Sequence, residues 1–156
     1  MEYVIRQAVS ADLPAILSLY GQPDADNGEV IDLETANSLF LKMSTYPSYR
    51  LFVACSEDRI VGTHSLVILD NLVHMGAPSG LVESVVVLSD WRRKGVGKAV
   101  MNHAMALCRE AHCYKLALSS NLVREPAHRF YEALGFTRHG FSFVVEFKTC
   151  ESNSRI

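Results

Sequence analysis

The sequence predicts an α+β fold, a mixed and mostly antiparallel β-sheet flanked by about four helices. Two helical stretches precede the main strands, two strands meet across a tight polar turn, and two others are separated by a long amphipathic helix. A tight turn makes an antiparallel hairpin and an intervening helix makes a parallel crossover, so the sheet is expected to be mixed. With 156 residues, 49% of them hydrophobic, the chain has material for one core. A single domain is expected over residues 1–150, with a fraying polar tail at 151–156.

The first strand is YVIRQAV. In SADLPAILSLY, Ser10 is the expected helix cap, Pro14 is tolerated in the first turns, and Leu13, Ile16, Leu17 and Tyr20 recur at helical spacing. After a Gly/Pro/Asp loop, DLETANSLFLKMS places Leu33, Ala36, Leu39, Phe40 and Met43 on one helical face. YRLFVACSE and RIVGTHSLVIL form the hairpin, turning at Glu57, Asp58 and Arg59. GLVESVVVL follows the breaker cluster GAPSG as a third β-rich run. A helix over 95–111 then repeats Val96, Val100, Ala104, Leu107 and Ala111 on its core side. YKLALSS is the strand completing the crossover, AHRFYEALGF a short helix stopped by Gly135, and FSFVVEF a final strand.

The 15 Lys and Arg nearly balance the 17 Asp and Glu, and a formal charge of −2 gives no global field for nucleic acid or an acidic membrane. Any anion site must be local. No basic start with an apolar run marks a signal peptide, and no segment approaches the ~18 uninterrupted apolar residues of a membrane span. A cytoplasmic protein is expected. Cys55, Cys108, Cys113 and Cys150 form no CxxC pair and read as free thiols. His64, His74 and His128 show no ligand spacing, so no metal is expected.

The stretch SDWRRKGVGKAVM sits between a strand and a helix. A dinucleotide fingerprint needs a third glycine where Val100 stands, and a phosphate-binding P-loop needs a glycine where Arg92 stands and Ser or Thr where Ala99 stands. What remains is Arg92-x-x-Gly95-x-Gly97. Glycines let backbone approach a ligand, and the free amides and dipole of a helix start attract anions. Arg92, Arg93, Lys94 and Lys98 add cations, so the pattern suits a pyrophosphate. A solvated basic helix start with a glycine turn is the plainer alternative.

VESVVVLSDWRRKGVGKAVM resembles the acyl-CoA binding segment of the GNAT superfamily of N-acetyltransferases, in which a strand leads into [QR]-x-x-G-x-[GA] and a helix. Downstream, LSSNLVREPAHRFYEALGF is similar to the family's second half, with its A-x-x-F-Y-x-x-x-G-F on Ala127, Phe130, Tyr131, Gly135 and Phe136. The resemblance extends over most of the chain, though residues 18–50 match in element order alone. It implies a GNAT-like fold and acetyl-CoA as acyl donor. It also implies that the amides of Arg93, Lys94, Gly95, Val96, Gly97 and Lys98 bind the CoA pyrophosphate, with Arg92 beginning the motif. Main-chain groups of Val85 and Val87, on a strand that bulges there in the family, would pair with the peptide-like pantetheine arm. Asn121 would contact CoA. It lies six residues before Ala127, whereas the family's usual asparagine precedes the alanine by three, where this chain has Arg124. The longer spacing is more like the branch that includes aminoalkylphosphonate N-acetyltransferases.

Acyl transfer from a thioester to an amine needs a neutral amine, a stabilised oxyanion and a proton for the departing thiolate. By the resemblance, Tyr131 lies near the CoA sulfur and supplies that proton. Aromatic packing is its plainer role. The amide of Val85, freed by the bulge, would meet the oxyanion. Glu83 interrupts an apolar strand, and strict alternation puts it on the face of Val85 and Val87, where partial burial makes a carboxylate a better base. A strand-end charge reaching solvent is the alternative.

No Lys or Arg occurs between Gln7 and Leu41, while Asp12, Asp24, Asp26, Glu29, Asp32 and Glu34 all fall there. The resemblance implies that this segment overlies the acceptor side, where a negative lid would favour a cationic amine over a phosphorylated one, against the plainer reading of a solvated face. The expected activity is transfer of acetyl from acetyl-CoA to a primary amine of a small molecule. The competing reading is a non-catalytic acyl-CoA-binding or regulatory module of the same fold. Dimers are common among similar proteins, so a homodimer is among the expected assemblies.

Overall fold

The computed structural model describes residues 2–25, 28–145 and 147. They fall into two compact units, Met1–Leu118 and Ser119–Ile156.

The first unit holds a five-stranded sheet in the order β1 (Val4–Gln7), β2 (Tyr49–Ser56), β3 (Arg59–Leu69), β4 (Ser79–Val87) and β5 (Lys115–Ala117). The first three neighbouring pairs are antiparallel, and β4 and β5 are parallel through the crossover helix α3 (Val96–Glu110). Helices α1 (Leu13–Tyr20) and α2 (Leu33–Ser44) lie between β1 and β2 in the chain. This is the expected α+β layout.

Opposed residues of an antiparallel pair share a face. On one face Leu51 and Val53 gather with Ala8, Leu13, Ile16 and Ala36. On the other, Ala54 and Val61 pack with Val96 and Val100 of α3, joined by Tyr3, Ile5, Val85, Val87 and Trp91. Each fully buried valine contributes on the order of 1.5–3 kcal/mol. The buried stripe of α3 is Val96, Val100, Met101, Ala104 and Cys108. Leu107 and Ala111, expected in it, are half-buried.

Three other expectations shift. Ser10 does not cap α1; residues Ser10–Asp12 form a 3-10 turn in which the Asp12 carboxylate accepts the Val9 N–H at 2.8 Å. Arg6 donates to both Asp12 oxygens at 2.6 and 2.8 Å, which together with the Val9 bond holds that buried carboxyl below its usual range. In α2, capped by Asp32 at the Thr35 N–H, Ala36 is buried but Leu33 and Leu39 each remain 45% exposed. The crossover strand is shorter than YKLALSS.

In the second unit α4 (Glu125–Ala133) ends near Gly135, whose φ of +92° is the left-handed conformation a helix stop requires. The expected final strand FSFVVEF is absent among the described residues 141–145 and 147. Phe141 and Phe143 are 90% and 92% exposed. Alternation makes a segment fit for a sheet, but a strand exists only when a neighbour completes its ladder. Glu146 and Lys148 onward, including Cys150 and the expected tail, lie outside the described residues.

Candidate active site

The centre of the first unit's site is an irregularity in β4. Glu83 pairs with Ser65 of β3 and Val86 with Thr63, so Ser84 and Val85 together face the single residue His64. This is a β-bulge, and Ser84 carries it in the left-handed region at φ +52°. Two residues where the ladder has room for one leave Val85 without a register partner on β3. The bulge also overturns the expected placement of Glu83. Ser65 and Thr63 share a face, so Glu83 lies on the side of Val86, while Val85 and Val87 pack toward α3. One inserted residue reverses the alternation beyond it. Glu83 is moreover exposed, so the partial burial expected to strengthen it as a base is missing.

From Val87 the chain passes a 3-10 turn at Ser89–Trp91 and enters α3 through Arg92–Gly95. Arg93 at φ +61° and Gly95 at φ +93° twist this turn so that α3 starts abruptly. No side chain caps the helix at Gly95. The first amides of α3 face outward with the positive end of the helix dipole behind them, a donor arrangement suited to a pyrophosphate.

The cations expected around that turn are used differently from one another. Arg92 makes a two-bond pair with Asp24, at 2.9 and 2.8 Å, and donates from Nε to the Val87 carbonyl at 3.2 Å. Its side chain shapes the turn. Lys94 Nζ lies 5.1 Å from the Trp91 ring centroid, a cation–π contact. Arg93 and Lys98 are exposed.

Gln22, buried just after α1, ties the loop that follows α1 to this strand end. Its Oε1 accepts the Ser89 N–H at 2.7 Å, and its Nε2 donates to the carbonyls of Leu19 at 3.0 Å and Val87 at 3.3 Å. Burial pushes the phenol of Tyr20, at the end of α1, above its ordinary value, with the side chains of Thr63 and Ser84 acting in the opposite direction. Neither residue was singled out as functional from sequence, where Tyr20 looked like one more member of an apolar stripe. The negative lid weakens correspondingly. Asp12 is taken by Arg6, Asp24 by Arg92 and Asp32 by the start of α2; Glu29 and Glu34 are exposed, and Asp26 lies outside the described residues.

In the second unit Tyr131 is half-buried on α4, its ring 5.9 Å from Phe136 and 5.2 Å from Phe130. Burial raises its phenol above the ordinary value, against an opposing pull from Arg124. Asn121 organises the turn before α4, its Oδ1 accepting the Val123 N–H at 3.1 Å and its carbonyl lying 2.9 Å from His128 Nε2. Among the described residues no group of three or more His, Cys, Asp or Glu side chains could hold a metal ion. His64 is buried beneath the bulge, His74 stacks on Tyr114 at 3.9 Å, and His128 belongs to the Asn121 turn.

A bulged strand running into an amide-lined turn and a crossover helix defines an acyl-CoA-dependent acyltransferase scaffold. The chain belongs to the acetyltransferase (GNAT) family, whose pattern matches residues 5–136. It is 31% identical over 135 residues to a glucosamine 6-phosphate N-acetyltransferase of Trypanosoma brucei brucei, covering 86% of this chain and 89% of that protein. An aminoglycoside N(6')-acetyltransferase type 1 of Stenotrophomonas maltophilia is likewise 31% identical, over 85% of this chain and 84% of its own. Among solved structures, a putative acetyltransferase from Agrobacterium tumefaciens superposes with a TM-score of 0.86 at 30% identity, over 92% of this chain and 99% of that one. The protein is an acetyl-CoA-dependent N-acetyltransferase acting on an amine, and the non-catalytic alternative is set aside. Among the described residues no helix is long and apolar enough to cross a membrane.

Proposed function

We propose that this enzyme acetylates a primary amine carried on a sugar, by direct attack of the amine on the thioester of acetyl-CoA. The observation that carries the reading is the β4 bulge at Ser84–Val85, on a strand that leads into the glycine turn. The choice of acceptor class is supported by two relatives that are both named for amino sugars.

In this mechanism the pyrophosphate binds the amides from Arg93 to Lys98, and the pantetheine arm runs along β4 beside Val85 and Val87. Arg92 holds the turn through Asp24, and Asn121 takes part in CoA binding from its turn. Glu83, directly or through water, accepts the ammonium proton. The free amine attacks the carbonyl carbon, and the Val85 N–H stabilises the tetrahedral oxyanion. The C–S bond breaks as the amide forms, and the nitrogen releases its second proton to solvent. Tyr131, protonated at neutral pH as an ordinary phenol is, gives its proton to the leaving thiolate and is reprotonated from solvent. Among the described cysteines Cys55, Cys108 and Cys113 are free, which supports placing the reaction in a reducing compartment, the cytoplasm.

The test is thiol release from acetyl-CoA with a panel containing glucosamine, glucosamine 6-phosphate, an aminoglycoside, an aminoalkylphosphonate, a diamine and an N-terminal peptide. Highest kcat/KM on one of the amino sugars is expected. A preference for the peptide, the diamine or the phosphonate would overturn the acceptor class. Tyr131→Phe should lower kcat about 100-fold with little change in the KM for acetyl-CoA.

A further inference from the structure

Tyr3 lies 91 residues from the glycine turn in the chain, yet its hydroxyl donates to the Lys94 carbonyl at 2.6 Å. It adjoins the start of β1, outside every motif that marks the family. Its ring meets Trp91 edge-on with centroids 6.5 Å apart, and Lys94 Nζ lies over the other partner in that contact, at 5.1 Å from the Trp91 centroid. A Cβ built on Gly95 would find Tyr3 Cε2 as its nearest neighbour, at 3.9 Å. The phenol therefore sits directly against the peptide that joins Lys94 to Gly95.

That peptide is planar and trans, so its carbonyl and its N–H point in opposite directions. Fixing the Lys94 oxygen on Tyr3 fixes the Gly95 N–H on the far side, away from β1. The position needs fixing. Arg93 and Gly95 both have positive φ, and a glycine exchanges readily among several conformations. Without an external partner the Lys94–Gly95 peptide could rotate and turn its carbonyl oxygen toward the bound anion.

We infer that Tyr3 is a positioning residue for the cofactor's pyrophosphate, a phenolic anchor just before β1 that aims the Gly95 amide by holding the Lys94 carbonyl. The inference rests on the reading of the 93–98 turn as the pyrophosphate site. Tyr3 acts through one peptide plane, with Trp91 and the Lys94 side chain bracing the same turn.

The test measures dissociation constants of the wild-type chain, Tyr3→Phe and Gly97→Glu for CoA, by calorimetry, and for pantetheine, which lacks the pyrophosphate, by ligand-observed NMR. For Tyr3→Phe the Kd of CoA should rise about fivefold, the scale of one neutral hydrogen bond, with less than a twofold change for pantetheine. Gly97→Glu should lose CoA binding far more strongly. If Tyr3→Phe binds CoA as wild type while Gly97→Glu does not, the anchor is overturned and the pyrophosphate site stands. A parallel loss of CoA and pantetheine affinity in Tyr3→Phe would also overturn it, since a general structural defect does not discriminate between them. If neither variant weakens CoA, the site itself has been misassigned and the anchor falls with it.

Discussion

His64 is wholly buried, yet neither of its ring nitrogens has a hydrogen-bond partner among the described residues. It stacks on Phe52 with centroids 5.0 Å apart and meets His103 of α3 at 5.5 Å. Burial first, and the neighbouring His103 second, lower its pKa to about 3. An imidazole held neutral in the folded state is protonated more readily in the unfolded chain. Stability associated with it is fully present above the unfolded value of about 6.5 and is lost as pH falls toward the folded value. The slope approaches ~1.4 kcal/mol per pH unit over that window. Urea midpoints measured from pH 7 to pH 4 should therefore fall more steeply for the wild type than for His64→Phe; parallel profiles would show that His64 is already protonated in the fold. The sequence displayed His64 without its burial, because β3 is buried at consecutive positions from Val61 to Leu66 and composition alone does not say that both of its faces are covered.

At the scale of elements, the contact between α3 and the sheet is decided by small residues. A Cβ on Gly80 of β4 would lie 2.3 Å from Cys108 Sγ and 3.0 Å from Leu116 Cδ1. Gly80→Ala should lower stability by about 1–3 kcal/mol, seen as a drop in Tm, and Cys108→Ala in the same chain should recover part of it. Additive losses in the double variant would place the clash elsewhere. The same strand shows the limit of pattern reading. GLVESVVVL has the composition of a strand, and β4 forms there, but nothing in a period of two announces the extra residue at Ser84. The face of Glu83 was misread for that reason. α4 and its glycine stop were legible because capping chemistry is local, whereas FSFVVEF was not, because strand formation depends on a partner.

For the molecule as a whole, donor binding depends on an unobstructed backbone at the start of α3. Gly97→Glu should raise the Kd for CoA more than about 100-fold while circular dichroism and Tm stay near wild type, because it brings a side chain and a negative charge to the amides that bind the anion. Retained affinity would mean that the first turn of α3 is not the donor site. The sequence by itself determined the family, the order of elements and the position of the amide-lined turn, since these follow from local propensity and from the spacing of a few glycines, cations and aromatics. The tertiary structure decided which of those side chains are committed to other work. Arg92 is held by Asp24, Asp12 by Arg6, and the Lys94 carbonyl by Tyr3. Such pairings join residues as far as 91 positions apart, and only the folded chain brings them within hydrogen-bond reach.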